Sequence, residues 1–327
     1  MVCIPFPEKT ITDQLLHADV VVLARENPEK PFSYIAKKVL KGNLANTAID
    51  LFVNSSIRRR LALYPDQSVV LTFNTVTNKW QSAGYATPAY RTLVDQILAR
   101  EPVWTHLGAD SAKSRATFFA PYLAAADPAV SKLAYLEVGQ ASYDSIRQAN
   151  AFVSTEQIYR FLGNSQYIEW HALYILLLGV EANPAEKEVI RTKMARLAKY
   201  DQKLNLSAWA TALIEIDGKD AIHRLESDYL GKPGRDPDTV LEVVKALSVH
   251  GSRDRPRLRR RIAESYELLI QTYPSLAGWA ARDLTAWGDW RFAETLAELR
   301  NSQAEIDGAT AYAIDYYVGR SQSGISN

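Results

Sequence analysis

"WHALYILLLGVEANPAEKEVIRTKM", residues 170–194, reads as two helices joined by a short break. Its core, "ALYILLLGV" (172–180), is the longest apolar run of the chain, far short of the roughly 18 residues a membrane helix needs. Gly179 suits a helix C-terminus, where the chain turns away in a left-handed conformation. Asn183 before Pro184 suits the next helix start, because a capping side chain stands beside a residue that has no N–H to satisfy. Glu186, three residues past Asn183, completes the spacing of a capping box.

The unit recurs. "ALYILLLG", "TALIEIDG", "VKALSVHG" and "ARDLTAWG" end at Gly179, Gly218, Gly251 and Gly288, with spacings of 39, 33 and 37 residues. Four positions before each glycine stands Ile175, Ile214, Leu247 or Leu284. A period of about 37 residues is the length of a helix pair, and one amphipathic pair buries its apolar face only against a neighbour. Asp127-Pro128, Asp236-Pro237 and the Ser154/Gln157 box add further helix starts, and ten to twelve helices are expected between residues 88 and 320.

Upstream the pattern differs. "ADVVVLARE" (18–26), "FSYIAKKVLKG" (32–42), "AIDLFVN" (48–54), "QSVVLTFN" (67–74) and "KWQSAGY" (79–85) read as five short strands, and "TDQLLHA" before them as a short helix. "TVTN" (75–78) has hairpin length, with Asn78 placed for a positive φ. Five strands in so short a stretch predict a small barrel, which leaves no unpaired edge. Pro88 marks the seam.

Two families are resembled. The unit at 170–194 and its echoes, over roughly residues 125–300, resemble a HEAT-like α-helical repeat array. Cys3 with Pro5, "ADVVVLA", "YIAKKVLKG" and "VVLTF" are together similar to netrin-like, tissue-inhibitor-of-metalloproteinase-like OB barrels. The expected fold is therefore α+β and multidomain: an OB-like β-barrel over 1–87, then a HEAT-like repeat domain over 88–327. Bacterial proteins with such barrels are typically exported, so the resemblance implies a periplasmic or cell-surface location. In the inhibitor family the first residue of a Cys-x-Cys chelates a protease zinc. Here Cys3 is the only cysteine of the 327 residues, so the family's disulfides are absent and no CxxC site exists. The thiol is read as an inert barrel residue, with a lipid anchor as the alternative if a leader was removed upstream.

Charge narrows the functional classes. Lys plus Arg number 38 against 37 Asp plus Glu, and a net charge of +1 gives no global steering toward nucleic acid or anionic membrane. Any such binding falls to a local patch. "RDRPRLRRR" (253–261) is one, with Arg257, Arg259, Arg260 and Arg261 in the first turns of a helix whose dipole disfavours cations there. An anionic partner would compensate them; so would neighbouring carboxylates, among them Asp254 and the i, i+4 pair Arg260–Glu264. Arg58, Arg59 and Arg60 are expected in a solvated barrel loop.

Trp279, Trp287 and Trp290 form an aromatic cluster. It reads as core packing or as a stacking surface, with Asp283 or Asp289 as the acid of a HEAT-like glycosylase in the second case. Glu137, Tyr143 and Arg147 lie in one expected helical region, as a recognition groove or a buried tie. His17, His106, His171, His223 and His250 have no metal-ligand spacing, and no GxSxG or phosphate-binding glycine loop occurs. No cofactor, metal or catalytic residue is expected. The functional expectation is a non-catalytic protein-recognition or scaffold protein of the bacterial envelope, binding a protein partner through the array's concave face or the barrel loops. The alternatives are a nucleic-acid-binding or -acting HEAT-like enzyme using the arginine and tryptophan patches, and an enzyme inhibitor acting through the barrel's N-terminus.

Overall fold

The computed structural model describes residues 9–44, 48–105, 109–253, 255–302 and 304–324; Cys3, His106 and Asp254 lie outside them. The described chain divides into two compact units. One runs to Ala141 and takes in Ala151–Val153; the other comprises Ser142–Asn150 and the chain from Ser154 onward. Strand gives way to helix between Ala86 and Pro88, and the division between units comes later, at Ala141.

In the first unit α1 (Ile11–Leu16) is closed by a reciprocal capping box between Thr10 and Asp13. The strands β1 (Val20–Glu26), β2 (Tyr34–Lys41), β3 (Ser68–Asn74) and β4 (Lys79–Ala86) form one antiparallel sheet in the order β2-β1-β3-β4. Asn78 takes φ +50° in the turn between β3 and β4, as its position in "TVTN" predicts. Alternate residues of β1 and β3 face opposite ways and both sets are buried, so the sheet is covered on both sides. Val22, Leu71, Phe73 and Trp80 pack with Val53 and Leu61 on one side, each such apolar side chain contributing about 1.5–3 kcal/mol by leaving water.

The sheet is open, and the expected barrel is not formed. Residues 48–54, expected as one of the five strands, make a single isolated bridge, Ser33–Phe52, among the described residues. Ile49 and Leu51 pack on the core with no ladder of their own. The next residues form a helix, α2 (Ser55–Leu63), because Asn54 caps it by accepting the Ile57 amide at 2.9 Å and Ile57 and Leu61, four apart, both reach the core. Arg58, Arg59 and Arg60 accordingly lie on a helix, not in a loop. Arg58 pairs with Glu26 at 3.0 Å, and Arg60 lies 4.1 Å over the Tyr85 ring.

Four further α-helices follow among the described residues of this unit: α3 (Pro88–Leu98), α4 (Glu101–Trp104), α5 (Ala109–Phe119) and α6 (Pro128–Gly139). Thr87 and Asp127 cap α3 and α6, each ahead of a proline at the first helical position. α1 and α3 pack on β4 and on each other.

The second unit is a helical, repeat-like array. It begins with α7 (Tyr143–Ala149) and α8 (Thr155–Leu162), capped by Ser142 and Ser154. Helix pairs follow: α9 (His171–Gly179) with α10 (Pro184–Lys199), α11 (Leu206–Asp217) with α12 (Lys219–Leu225), and α13 (Pro237–Gly251) with α14 (Pro256–Thr272), then α15 (Ala277–Trp287) and α16 (Ala293–Asn301) in sequence. α12 runs on into a π-helical turn, Glu226–Leu230, and α17 (Gly308–Gly324) ends the described chain. Among the described residues fifteen α-helices thus run from Pro88 onward, more than the sequence pattern suggests, partly because "YLEVGQASYDSIRQA" breaks at Gln140 into α6 and α7.

The first helices of successive pairs, α9, α11, α13 and α15, stack in order, and α17 packs on α15. Ile175, Ile214, Leu247 and Leu284, aligned by the glycine register, are all at most 1% exposed. The glycines themselves serve two purposes. Gly218 and Gly288 end their helices with positive φ, +57° and +66°. Gly179 and Gly251 instead allow contact: a Cβ on Gly179 would lie 2.9 Å from the Ala212 backbone on α11, and one on Gly251 would lie 2.3 Å from the Trp287 ring on α15.

Gly179→Ala is therefore expected to cost about 1–3 kcal/mol by overpacking. Gly319→Ala, on an open stretch of α17 with nothing within 4 Å, should instead gain about 0.5–1 kcal/mol of helix propensity. Urea midpoints of the two variants should move in opposite directions.

Candidate functional site

Residues far apart in sequence meet where α7, α11, α13 and α14 approach. α7, started by the Ser142 hydroxyl accepting the Ser145 amide, carries Tyr143 and Arg147 one turn apart. The last turn of α11 carries Glu215, and the segment after α13 carries Arg253 and Arg255.

Glu215 is the hub. Its Oε1 accepts Arg147 Nε at 2.9 Å, its Oε2 accepts Arg253 Nη1 at 2.8 Å, and Arg255 stands 3.6 Å away. Arg253 also donates to Asp144 at 2.8 Å and lies 5.3 Å from the centre of the Tyr143 ring. With Glu215 and Arg253 side chains 7% and 8% exposed, this is a buried network whose carboxylate is shared among three guanidinium groups.

Beneath it Tyr143 meets the His250 ring edge-on at 5.4 Å. His250 Nε2 lies 2.9 Å from the Thr211 carbonyl, which only accepts, so the proton sits on Nε2 and Nδ1 is bare. Burial holds the imidazole down to about 4 and pushes the Tyr143 phenol well above its ordinary value. His250 is thus neutral at pH 7.

The arginine run is distributed among different tasks. Arg259 donates to the carbonyls of Gly251 (2.6 Å) and Arg253 (2.9 Å), placing a cation at the negative end of α13. Arg261 binds Glu226 at 2.5 Å and His223 Nδ1 at 2.9 Å, fastening α14 to the turn after α12. Arg260 is exposed and reaches Glu264 at 3.4 Å, the i, i+4 pair expected from the sequence. Arg257 is exposed and has no carboxylate partner among the described residues.

Arg257 instead borders a recess of about 570 Å³ formed by Gly218 and Lys219 on one side and Arg255, Pro256, Arg257 and Leu258 on the other. Lys219, too, is exposed without an ion pair among the described residues. Three cations therefore surround one opening, and the nearest hub carboxylate is already shared.

The three tryptophans take different partners. Trp287 stacks on Tyr266 at 5.7 Å, Trp290 packs on Tyr317 at 5.2 Å, and Trp279 takes Arg282 over its ring at 4.4 Å. Asp283 accepts the Ser248 hydroxyl at 2.8 Å and the Tyr266 hydroxyl at 2.5 Å, and burial raises its carboxyl. Asp289 is held by Arg291 at 2.6 Å, which lowers it.

Glu137 belongs to the other unit. It accepts Arg115 at 2.7 Å, and Arg115 also grips Asp13, so α1, α5 and α6 are tied together beside a pocket of about 180 Å³. Burial raises the Glu137 carboxyl, against the pull of Arg115 and the Thr10 and Thr12 hydroxyls. Among the described residues no group of three or more His, Cys, Asp or Glu side chains is arranged to hold a metal ion.

Sequence reasoning missed Glu215, Asp144, Lys219 and the contact made by His250. One signal was present: Glu215 is a carboxylate inside the apolar run "TALIEIDG", where burial demands a partner.

Against this geometry stand the comparisons with known proteins. No family model, no curated protein and no solved structure matches the chain.

Two outcomes follow for the network. Glu215→Gln leaves three guanidinium groups around a neutral amide and should cost about 3 kcal/mol in urea unfolding. His250 supplies the second: its folded pKa lies below the unfolded value near 6.5, so below that pH the unfolded chain binds the proton first. Its contribution is complete above about pH 6.5 and falls as pH drops toward about 4, by about 3 kcal/mol in all. Urea unfolding of the wild type across this window should lose stability more steeply than that of His250→Gln.

Proposed function

We propose that this chain is a non-catalytic protein-recognition or scaffold protein of the bacterial envelope, built on a HEAT-like array that binds a protein partner. The observation that carries this reading is the recess between α12 and α14, where Lys219 and Arg257 stand without carboxylate partners among the described residues, while Arg253 and Arg261 are taken up in holding helices together. Stacked helix pairs suit such a role because they present a long continuous surface on a rigid frame. The envelope location rests on the N-terminal resemblance, whose segments 18–24, 34–42 and 69–73 correspond to three neighbouring strands, β1, β2 and β3.

The nucleic-acid reading needs a stacking surface, and Trp279, Trp287 and Trp290 each have their own partner within the fold. The inhibitor reading needs Cys3 at a free N-terminus, outside the described residues.

Crosslinking in intact bacteria tests the proposal. A tagged chain should give a discrete protein adduct in the envelope fraction, identifiable by mass spectrometry. A tagged chain that yields no adduct there would remove the reading.

A further inference from the structure

We infer that the recess between Gly218–Lys219 and Arg255–Leu258 takes an acidic peptide segment with an apolar side chain at its centre. The inference rests on the recognition reading above and names the chemistry of the partner.

Lys219, Arg255 and Arg257 border one opening, and like charges held together raise each other's cost until an anion arrives. The structure supplies little relief. Glu215 already serves Arg147 and Arg253 at 2.8–2.9 Å, leaving Arg255 only a 3.6 Å approach. Asp217 is occupied by Arg191 at 2.6 Å, and Asp220, one residue beyond Lys219, makes no ion pair among the described residues. The unmet charge therefore faces outward.

Between the cations lie Gly218, Pro256 and Leu258, which offer apolar surface and no charge. A Cβ built on Gly218 would meet nothing within 4 Å, so the space above it is open. An apolar centre inside a charged rim is the layout of a protein-recognition surface, in which a buried side chain anchors the partner and rim charges select it. A nucleic-acid backbone asks for a different layout, with a line of cations matched to successive phosphates and free rings on which bases stack. Here three cations line one recess with no tryptophan among its lining residues, and Trp279, Trp287 and Trp290 each have a partner within the fold.

The test uses the full chain and fluorescence anisotropy at low salt. The probe is a fluorescein-labelled peptide EEDLFDEE, set against its amide counterpart QQNLFNQQ and against a labelled oligothymidylate. The double variant Lys219→Glu, Arg257→Glu changes two exposed residues, and an acid in the first turn of α14 favours that helix, so folding is expected to survive. Circular dichroism melting checks that it does.

The acidic peptide should bind at least tenfold more tightly than the amide peptide, and the double variant should weaken it tenfold or more. Equal binding of the two peptides, binding unchanged by the double variant, or no binding up to about 1 mM would overturn the inference. Oligothymidylate binding that the double variant abolishes, without peptide binding, would overturn it in favour of a nucleic-acid ligand. An envelope adduct that forms equally well with the double variant would overturn this site while leaving the recognition reading in place.

Discussion

Close backbone approach between the first helices of successive pairs is the constraint on which the array depends. α9 meets α11 at Gly179 and Ala212, α13 meets α15 at Gly251 and Trp287, and α15 meets α17 at Gly278 and Thr310. At these points a methyl group would stand where the neighbour's backbone or ring already lies. Dispersion falls off steeply with distance, so such contact allows the columns of buried Leu, Ile and Val between the helices to pack at interior density. The second helices are tied to one another by polar side chains, as Arg261 on α14 is to Glu226 in the turn after α12.

The ion-pair network around Glu215 is a result of this stacking. Asp144 and Arg147 on α7, Glu215 on α11 and Arg253 after α13 are brought together only because the helices carrying them lie side by side. Desolvating so many charges is costly, and the cost is offset only while every partner stays in place. Such a network contributes definition of register more than net stability. Its Arg255, only 3.6 Å from the shared carboxylate, also lines the recess that holds Lys219 and Arg257, so three cations meet there in a chain whose overall charge is nearly balanced.

Much of the helical part was legible because its signals are local. Caps at Asp127, Asn183, Ser154 and Asp236, and helix ends at Gly218 and Gly288, depend on backbone groups a few residues away. Strands β1, β2, β3 and β4 were legible from their apolar runs. Barrel closure was not, because residues 48–54 carry a strand-like pattern yet meet the core without a ladder, and the Asn54 cap turns the following chain into a helix. The arginine run was legible as a feature and opaque in its roles. Arg253 and Arg259 look alike in sequence, but one finds carboxylates on α7 and α11 and the other finds the carbonyls ending α13. Only the tertiary fold distinguishes them.

The open sheet has a consequence for how copies of this chain behave in solution. Among the described residues β2 and β4 are the edges of the sheet, and β2 bears two exposed apolar residues, Ile35 and Val39, the kind of strand that recruits another. Between them stand Lys37 and Lys38, both exposed. Two β2 strands meeting antiparallel about this point would set lysines against lysines, and their mutual repulsion opposes the union. The charge that looks incidental on a small domain thus acts as a guard against self-association, at its weakest where salt is high and the repulsion is screened.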